Sequence, residues 1–198
     1  MPLKSKHGKT YICLEAGFHQ GSLSDRLYLV DSVTNAGLHN LGFDAWKWQV
    51  HNTDEVVGED YQFTYMTSKG QQSSSIKELL ASRSMNPSQW YTLFRHIQIA
   101  GVDCFATPGN PIDVDFLKSM NSAAIKIAGA DITYLELIRY AADSGLPLLI
   151  DTRCTKYELD VALDCAEAAG CKDITIVYSP SGYPVDDDEV GLRAITYL

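Results

Sequence analysis

Polar side chains able to do chemistry recur at one kind of place in this sequence, at or just past the end of a short apolar run. Glu15 ends the first run, Lys47 and Gln49 lie in the second, and Thr107 closes the third. Lys126 interrupts the fourth, with Asp131 just beyond it, and Asp151, Thr152 and Arg153 finish the fifth. The sixth leads into Tyr178, Ser179, Ser181 and Tyr183. Two lysines and an arginine among carboxylates suit an anionic ligand, a phosphate or a carboxylate, because these cations neutralise charge while donating hydrogen bonds. Lys126 sharpens the question. Its stretch, AAIKIAGAD, reads as a strand built for burial, and an unpaired ammonium there is costly. A single strand lysine is equally well an edge or snorkelling residue. Recurrence of polar positions at the same end of every unit favours a shared site.

The elements that must position these residues alternate between strand and helix. Strands are expected at Tyr11 to Phe18, Ala45 to Val50, and within VDCFATP, AAIKIAG, PLLIDT and DITIVYS. Leu23, Leu27, Val30 and Val33 repeat at helical spacing between a cap at Ser22 or Ser24 and Gly37, an end signal. Further helices are expected over 75–82 and 87–100, the second opened by Pro87 after an Asn86 cap. Four more follow strands three to six, the last in DDDEVGLRAITYL. Asp131 is open to two readings, helix cap or site residue. The polar run Thr67 to Ser75 is expected to be a long loop. Runs such as PLLI and ITIV lack strict alternation, which fits strands covered on both faces in a parallel sheet. The fold class is therefore α/β. In a parallel β/α barrel the strand ends named above converge on one mouth.

Composition narrows the partners. The formal charge of −9 over 198 residues argues against a nonspecific grip on nucleic acid. No apolar run reaches the length of a membrane helix, and the opening MPLKSKHGKTYICLEAG is too polar for a signal-peptide core. Five scattered cysteines without a CxxC pair read as reduced thiols, hence a cytoplasmic location. Cys13 and Cys104 read as small hydrophobes, and Cys154 lies near a strand end without a histidine beside it in sequence. The acidic run Asp186 to Glu189 reads as a solvated loop or helix start. His19 reads as a loop or helix-start residue, so no metal ligand is assigned. No GxGxxG follows the first strand and no GxxxxGK[ST] occurs, which removes the main support for a nucleotide-binding sheet.

Six segments, in order, resemble the sialic acid synthase (NeuB-like) family: LEAGFHQG, FDAWKWQV with its Lys-aromatic-Gln, CFATP, AIKIAGADITY, PLLIDT, and VYSPSGYP followed by GLRAI. The resemblance implies a (β/α) TIM-type barrel and a carbohydrate-biosynthetic transferase. Such an enzyme condenses phosphoenolpyruvate with an N-acylated aldose of the N-acetylmannosamine type, giving a nonulosonic acid and phosphate. It implies that Lys47, Thr107 and Lys126 hold the phosphate or carboxylate, with Gln49 beside them. Glu15 and Asp131 would serve the reacting carbons or the sugar, and Ser181 and Tyr183 would line the pocket. A divalent metal, manganese or magnesium, is expected in the family, its histidine ligands belonging to segments past Leu198. The sequence departs from the family pattern at Gly129, where serine is usual, and at Asp131, where glutamate is usual. Asp151 replaces a phosphate-binding serine, Arg153 stands in place of a glycine and can compensate its charge, and Ser181 replaces an asparagine. Six of eight strand–helix units are visible, so a truncated or open barrel over 1–198 is expected, without the family's C-terminal antifreeze-like domain. Its unpaired first and last strands invite association, and a homodimer is the expected partner state. Two alternatives stand beside the synthase: a non-catalytic binding or assembly module of the same fold, and a barrel lyase acting on a 2-keto acid.

Overall fold

The computed structural model describes residues 3–6, 8, 10–17, 21–35, 42–51, 57–67, 70–180, 182 and 185–197. Six parallel strands form one sheet in the order β1 (Cys13–Gly17), β2 (Ala45–Gln49), β5 (Asp103–Thr107), β6 (Ile125–Ile127), β7 (Leu148–Asp151) and β8 (Ile174–Val177). Between β2 and β5 the chain makes an antiparallel hairpin, β3 (Gln62–Thr67) and β4 (Gly70–Ser75). The helices are α1 (Leu23–Asn35), α2 (Ile76–Ala81), α3 (Pro87–Ile99), α4 (Pro111–Ser119), α5 (Leu135–Asp143) and α6 (Lys156–Ala168). Among the described residues β1 and β8 remain the two edges of an open sheet. The α/β class and the open, barrel-like array are as the sequence indicates.

Helix ends follow local chemistry. Asn86 accepts from the Gln89 backbone while the Gln89 side chain answers the Asn86 N–H, a capping box closed by Pro87 in the first turn. Thr155 and Glu158 do the same for α6. Ser22 and Asp25 exchange bonds at the start of α1. Asn110 caps α4 by accepting from the Asp113 backbone. Each such cap stabilises its helix by about 1 kcal/mol.

Alternation along each strand splits the sheet into two chemically distinct faces. Trp46 and Trp48 of β2, Cys104 and Ala106 of β5, Ile125 and Ile127 of β6, and Leu148 and Ile150 of β7 face the helices. They pack there on Trp90, Leu93, Phe94 and Ile97 of α3, and on Leu137, Ile138 and Ala141 of α5. The two β2 indoles stack at 5.8 Å, and Trp48 meets Trp90 edge-on at 6.3 Å. Leu93, Phe94 and Ile97 are fully buried, each worth about 1.5–3 kcal/mol in apolar transfer. The opposite, inner face carries a small apolar cluster of Ala45, Phe105 and Ala124 with Leu3, Tyr11 and Leu149 packed on it.

The N-terminal end of the sheet is closed by polar contacts. Lys6 Nζ donates to Asp103 Oδ1 at 2.7 Å, and the Tyr11 hydroxyl donates to Asp103 Oδ2 at 2.9 Å. Buried Asp44 accepts from the backbone of Lys6 and of Ile12. Burial and the neighbouring Asp103 carboxylate push the Tyr11 phenol well above its usual range. The polar residues of the expected mouth lie at the other, C-terminal end of the strands.

Four expectations need correction. The polar segment Thr67 to Ser75 is largely strand, paired in the β3–β4 hairpin from Gln62↔Ser75 to Thr67↔Gly70. Its backbone ladder, not an apolar face, makes it a strand, so hydrophobic periodicity is silent there. The last segment forms 3₁₀ turns at Asp187–Glu189 and Leu192–Tyr197 instead of a helix. Leu192, Ile195 and Tyr197 are exposed, so no apolar stripe is buried to hold a regular helix. Asp131 does not cap α5: it ends a 3₁₀ turn, Gly129–Asp131, and Tyr134 occupies the cap position without a side-chain bond. Cys13 is exposed rather than buried, because it lies on the inner face of edge strand β1. Gly37 lies outside the described residues.

Candidate active site

The inner face of the mouth is built by register. Glu15 pairs with Lys47, which pairs with Phe105, and Gln49 pairs with Thr107. Lys126 pairs with Leu149 and Asp151 with Val177. These strand neighbours carry Glu15, Lys47, Gln49, Thr107, Lys126 and Asp151 onto the face away from the helices, above the apolar cluster of Phe105, Ala124 and Leu149.

On one side Lys47, 7% exposed, contacts Glu15, 56% exposed, with Nζ 2.9 Å from Oε2 and 3.2 Å from Oε1. Glu15 is steadied by the Gly17 backbone N–H, which donates to Oε1 at 2.7 Å. That bond needs the bulge between Glu15 and Gly17 and the left-handed backbone of Gly17, φ 51°. Burial lowers the pKa of Lys47 despite the opposing charge and hydrogen bond of Glu15, and the charge of Lys126 lowers it further. The two lysines therefore share one electrostatic environment. Solvent reaches Cys13, but the protein packed around its sulfur and the Glu15 charge push the thiol up to about 12, which keeps it protonated near neutral pH. Burial raises the Cys154 thiol as well. The Thr107 hydroxyl, on a residue 9% exposed, has no hydrogen-bond partner among the described residues. It is an orphan polar atom of the kind a ligand satisfies.

On the other side Asp151, 2% exposed, is the hub. Its Oδ2 accepts from Lys126 Nζ at 2.8 Å, from the Ser179 hydroxyl at 3.2 Å and from Arg153 Nη2 at 3.5 Å. Its Oδ1 accepts from the Arg153 backbone at 2.9 Å and from Arg153 Nε at 3.3 Å. Burial alone would raise this carboxyl, but the Lys126 hydrogen bond, the Arg153 N–H and both cationic charges outweigh it. They hold Asp151 below the usual carboxylate range. Asp131 goes the other way: burial raises its pKa, only partly offset by the charge of Lys126. That suits a group that takes or gives a proton.

Lys126 thus has its answer: it is an interior lysine paired with Asp151. The structure brings Glu15, Lys47, Gln49, Thr107, Lys126 and Arg153 to the mouth, with Asp131 within the field of Lys126. Ser181 and Tyr183, like His19, lie outside the described residues. The sequence undervalued Asp151 and Ser179. Their position at strand ends was visible, but nothing local says that the Asp151 carboxylate turns inward. Fully buried Arg26 was also missed, hidden in the apolar stripe of α1. Its guanidinium lies 5.1 Å from the Trp90 ring and 6.0 Å from that of Trp48.

No group of three or more histidine, cysteine or acidic residues among the described residues could hold a metal ion. The described residues do not fit the divalent cation that the resemblance implies. A cavity of about 690 Å³ opens between α3 and α4 beside Val50, His51, Trp90 and Asp113, but none of the mouth residues lines it. No helix among the described residues is long and apolar enough to cross a membrane.

Comparison with known proteins bears on the family and the fold. The NeuB family profile matches residues 33–198. The N,N'-diacetyllegionaminic acid synthase of Legionella pneumophila is 26% identical over 195 residues, 95% of this chain and 53% of that protein. The spore coat polysaccharide biosynthesis protein SpsE of Bacillus subtilis is 28% identical over 196 residues, 98% of this chain and 50% of that protein. The crystal structure of the Leptospira borgpetersenii N-acetylneuraminic acid synthetase, in complex with citrate, superposes with a TM-score of 0.78 at 24% identity. That match covers 96% of this chain and 61% of the other. The chain spans about half the length of the curated relatives it matches. With the strand motifs and the family profile in agreement, this chain belongs to the NeuB family of sialic acid synthase-like proteins.

Proposed function

We propose that this chain carries the substrate mouth of a synthase that condenses phosphoenolpyruvate with an N-acylated aldose, releasing phosphate and forming a nonulosonic acid. The observation that carries the reading is the pair of interior lysines, Lys47 and Lys126, on one inner face and within each other's electrostatic reach. Lys47, with the orphan Thr107 hydroxyl and Gln49 in register beside it, binds an anionic group of phosphoenolpyruvate. Lys126 and Arg153 lie at the opposite side of the mouth. Glu15 and Asp131 face the reacting carbons or the sugar, and Asp131, its pKa raised by burial, is the better proton carrier. The acceptor is of the N-acetylmannosamine type, by analogy with relatives named as sialic, legionaminic and pseudaminic acid synthases.

A second reading, a module that binds such ligands without turnover, is favoured by the Asp151 contacts, which engage two cations of the mouth. A lyase would form its Schiff base on Lys47, whose pKa is lowered. One experiment separates the three. The protein is given phosphoenolpyruvate, N-acetylmannosamine and manganese, and phosphate is measured. Release that needs both substrates and disappears in Lys47→Met supports the synthase. Calorimetric binding without release supports the module, and borohydride trapping of a 2-keto acid on Lys47 supports the lyase. Neither binding nor release overturns the assignment of the mouth.

A further inference from the structure

We propose that Asp151 is a resident anion: its carboxylate fills the anion position formed by Lys126, Arg153 and Ser179, and so limits the mouth to ligands held by one anionic group, at Lys47. The inference deepens the synthase reading and rests on the mouth being the substrate site.

The first support is the contact set. An ammonium, a guanidinium, a backbone N–H and a hydroxyl converge on the two oxygens of one buried carboxylate. These are the donors a free phosphate or carboxylate would seek. A carboxylate offers about four acceptor sites, and five donors within 3.5 Å saturate it. Because this anion is tethered to β7, a free anion must compete with an intramolecular partner of high effective concentration. It would also meet the repulsion of a neighbouring negative charge.

The second support is steric and independent of charge. A Cβ built on Gly129 would lie 2.9 Å from Arg153 Cβ and 3.1 Å from Asp151 Oδ1. Only a residue without a side chain lets Asp151 and Arg153 take these positions. The three residues act as one arrangement across the ends of β6 and β7.

The Lys47 side differs. Glu15 is 56% exposed and, among the described residues, accepts from Lys47 and the Gly17 backbone. It can turn into water at little cost and release Lys47 to a ligand. Phosphoenolpyruvate then engages one of its two anionic groups at Lys47, and the other stays outside the Lys126 position.

The test is a titration of isotope-labelled protein with inorganic phosphate and, separately, with phosphoenolpyruvate. The Arg153 Nε–H resonance is followed and affinities are measured by calorimetry. In the wild-type protein the Arg153 signal is expected to stay put under millimolar phosphate. Asp151→Ser, which empties the position, is expected to bind phosphate at least about tenfold tighter and to shift that signal. Asp151→Asn, of the same shape without the charge, should change in the same direction. A wild-type Arg153 signal that moves with phosphate overturns the proposal, with no variant required. So do folded variants that bind phosphate no tighter than the wild type. If the wild type binds phosphoenolpyruvate through Arg153, this inference fails while the synthase reading survives. If it binds none and Asp151→Ser still gains phosphate, the inference stands and the synthase reading fails.

Discussion

Removing the Lys126 charge tests the energetic centre of the mouth. Lys126→Met keeps most of the side-chain length and deletes the ammonium that lies 2.8 Å from Asp151 Oδ2. Stripping a partner from a fully buried ion pair costs about 3–5 kcal/mol, whereas an exposed pair is worth only about 0.2–1 kcal/mol. This pair lies between those limits. Asp151 is 2% and Lys126 14% exposed, but the Arg153 guanidinium and the Ser179 hydroxyl remain to satisfy the carboxylate. The expected loss is therefore about 2 kcal/mol, or about 4–8 °C in Tm for a domain of this size. A double-mutant cycle with Asp151→Asn should return a coupling of about 1.5–3 kcal/mol, the range of a hydrogen bond to a charged group. Its pH dependence is fixed in sign. The folded-state pKa of Asp151 is depressed. Its contribution is present above the unfolded carboxyl pKa of about 3.9 and is lost as pH falls through the lower folded value. Urea denaturation of the four proteins between neutral pH and acid measures both. A coupling below about 0.5 kcal/mol at neutral pH, or one that grows on acidification, would refute the reasoning.

Three further outcomes follow from the same geometry. Gly129→Ala forces a methyl to 2.9 Å from Arg153 Cβ and should destabilise by about 1–3 kcal/mol; adding Arg153→Gly should recover most of that loss in thermal melts. Lys47→Met should abolish binding of phosphoenolpyruvate in calorimetry yet raise the urea midpoint at neutral pH by about 1 kcal/mol equivalent, because the net effect of its surroundings disfavours the ammonium. The same lowered pKa predicts that wild-type stability rises with pH as Lys47 deprotonates below the unfolded value of about 10.4, a slope missing in Lys47→Met. Cys13, exposed but with its thiol pushed up to about 12, should alkylate more than about tenfold slower than a free cysteine at pH 8, read by mass spectrometry.

What the sequence determined by itself was local. Asn86 before Pro87 announces a helix start because a cap satisfies backbone donors within one turn. Runs without strict alternation, such as PLLI and ITIV, mark strands covered by helices, and polar residues at strand ends mark the mouth, because parallel strands share one direction. The hairpin at 62–75 escaped notice because its polar residues are held by a cross-strand ladder rather than by an apolar face.

Only the tertiary structure decided which charges meet. Lys126 and Asp151 stand 25 positions apart, and Asp151 and Ser179 stand 28 apart. The close approach at Gly129 and the inward turn of Asp151 set one carboxylate against Lys126, Arg153 and Ser179. Arg26 shows the same limit: nothing in the apolar stripe around it announces its burial against Trp48 and Trp90. Periodicity records which face a residue occupies. It does not record what approaches that face from the rest of the chain, and in the mouth that approach sets the chemistry.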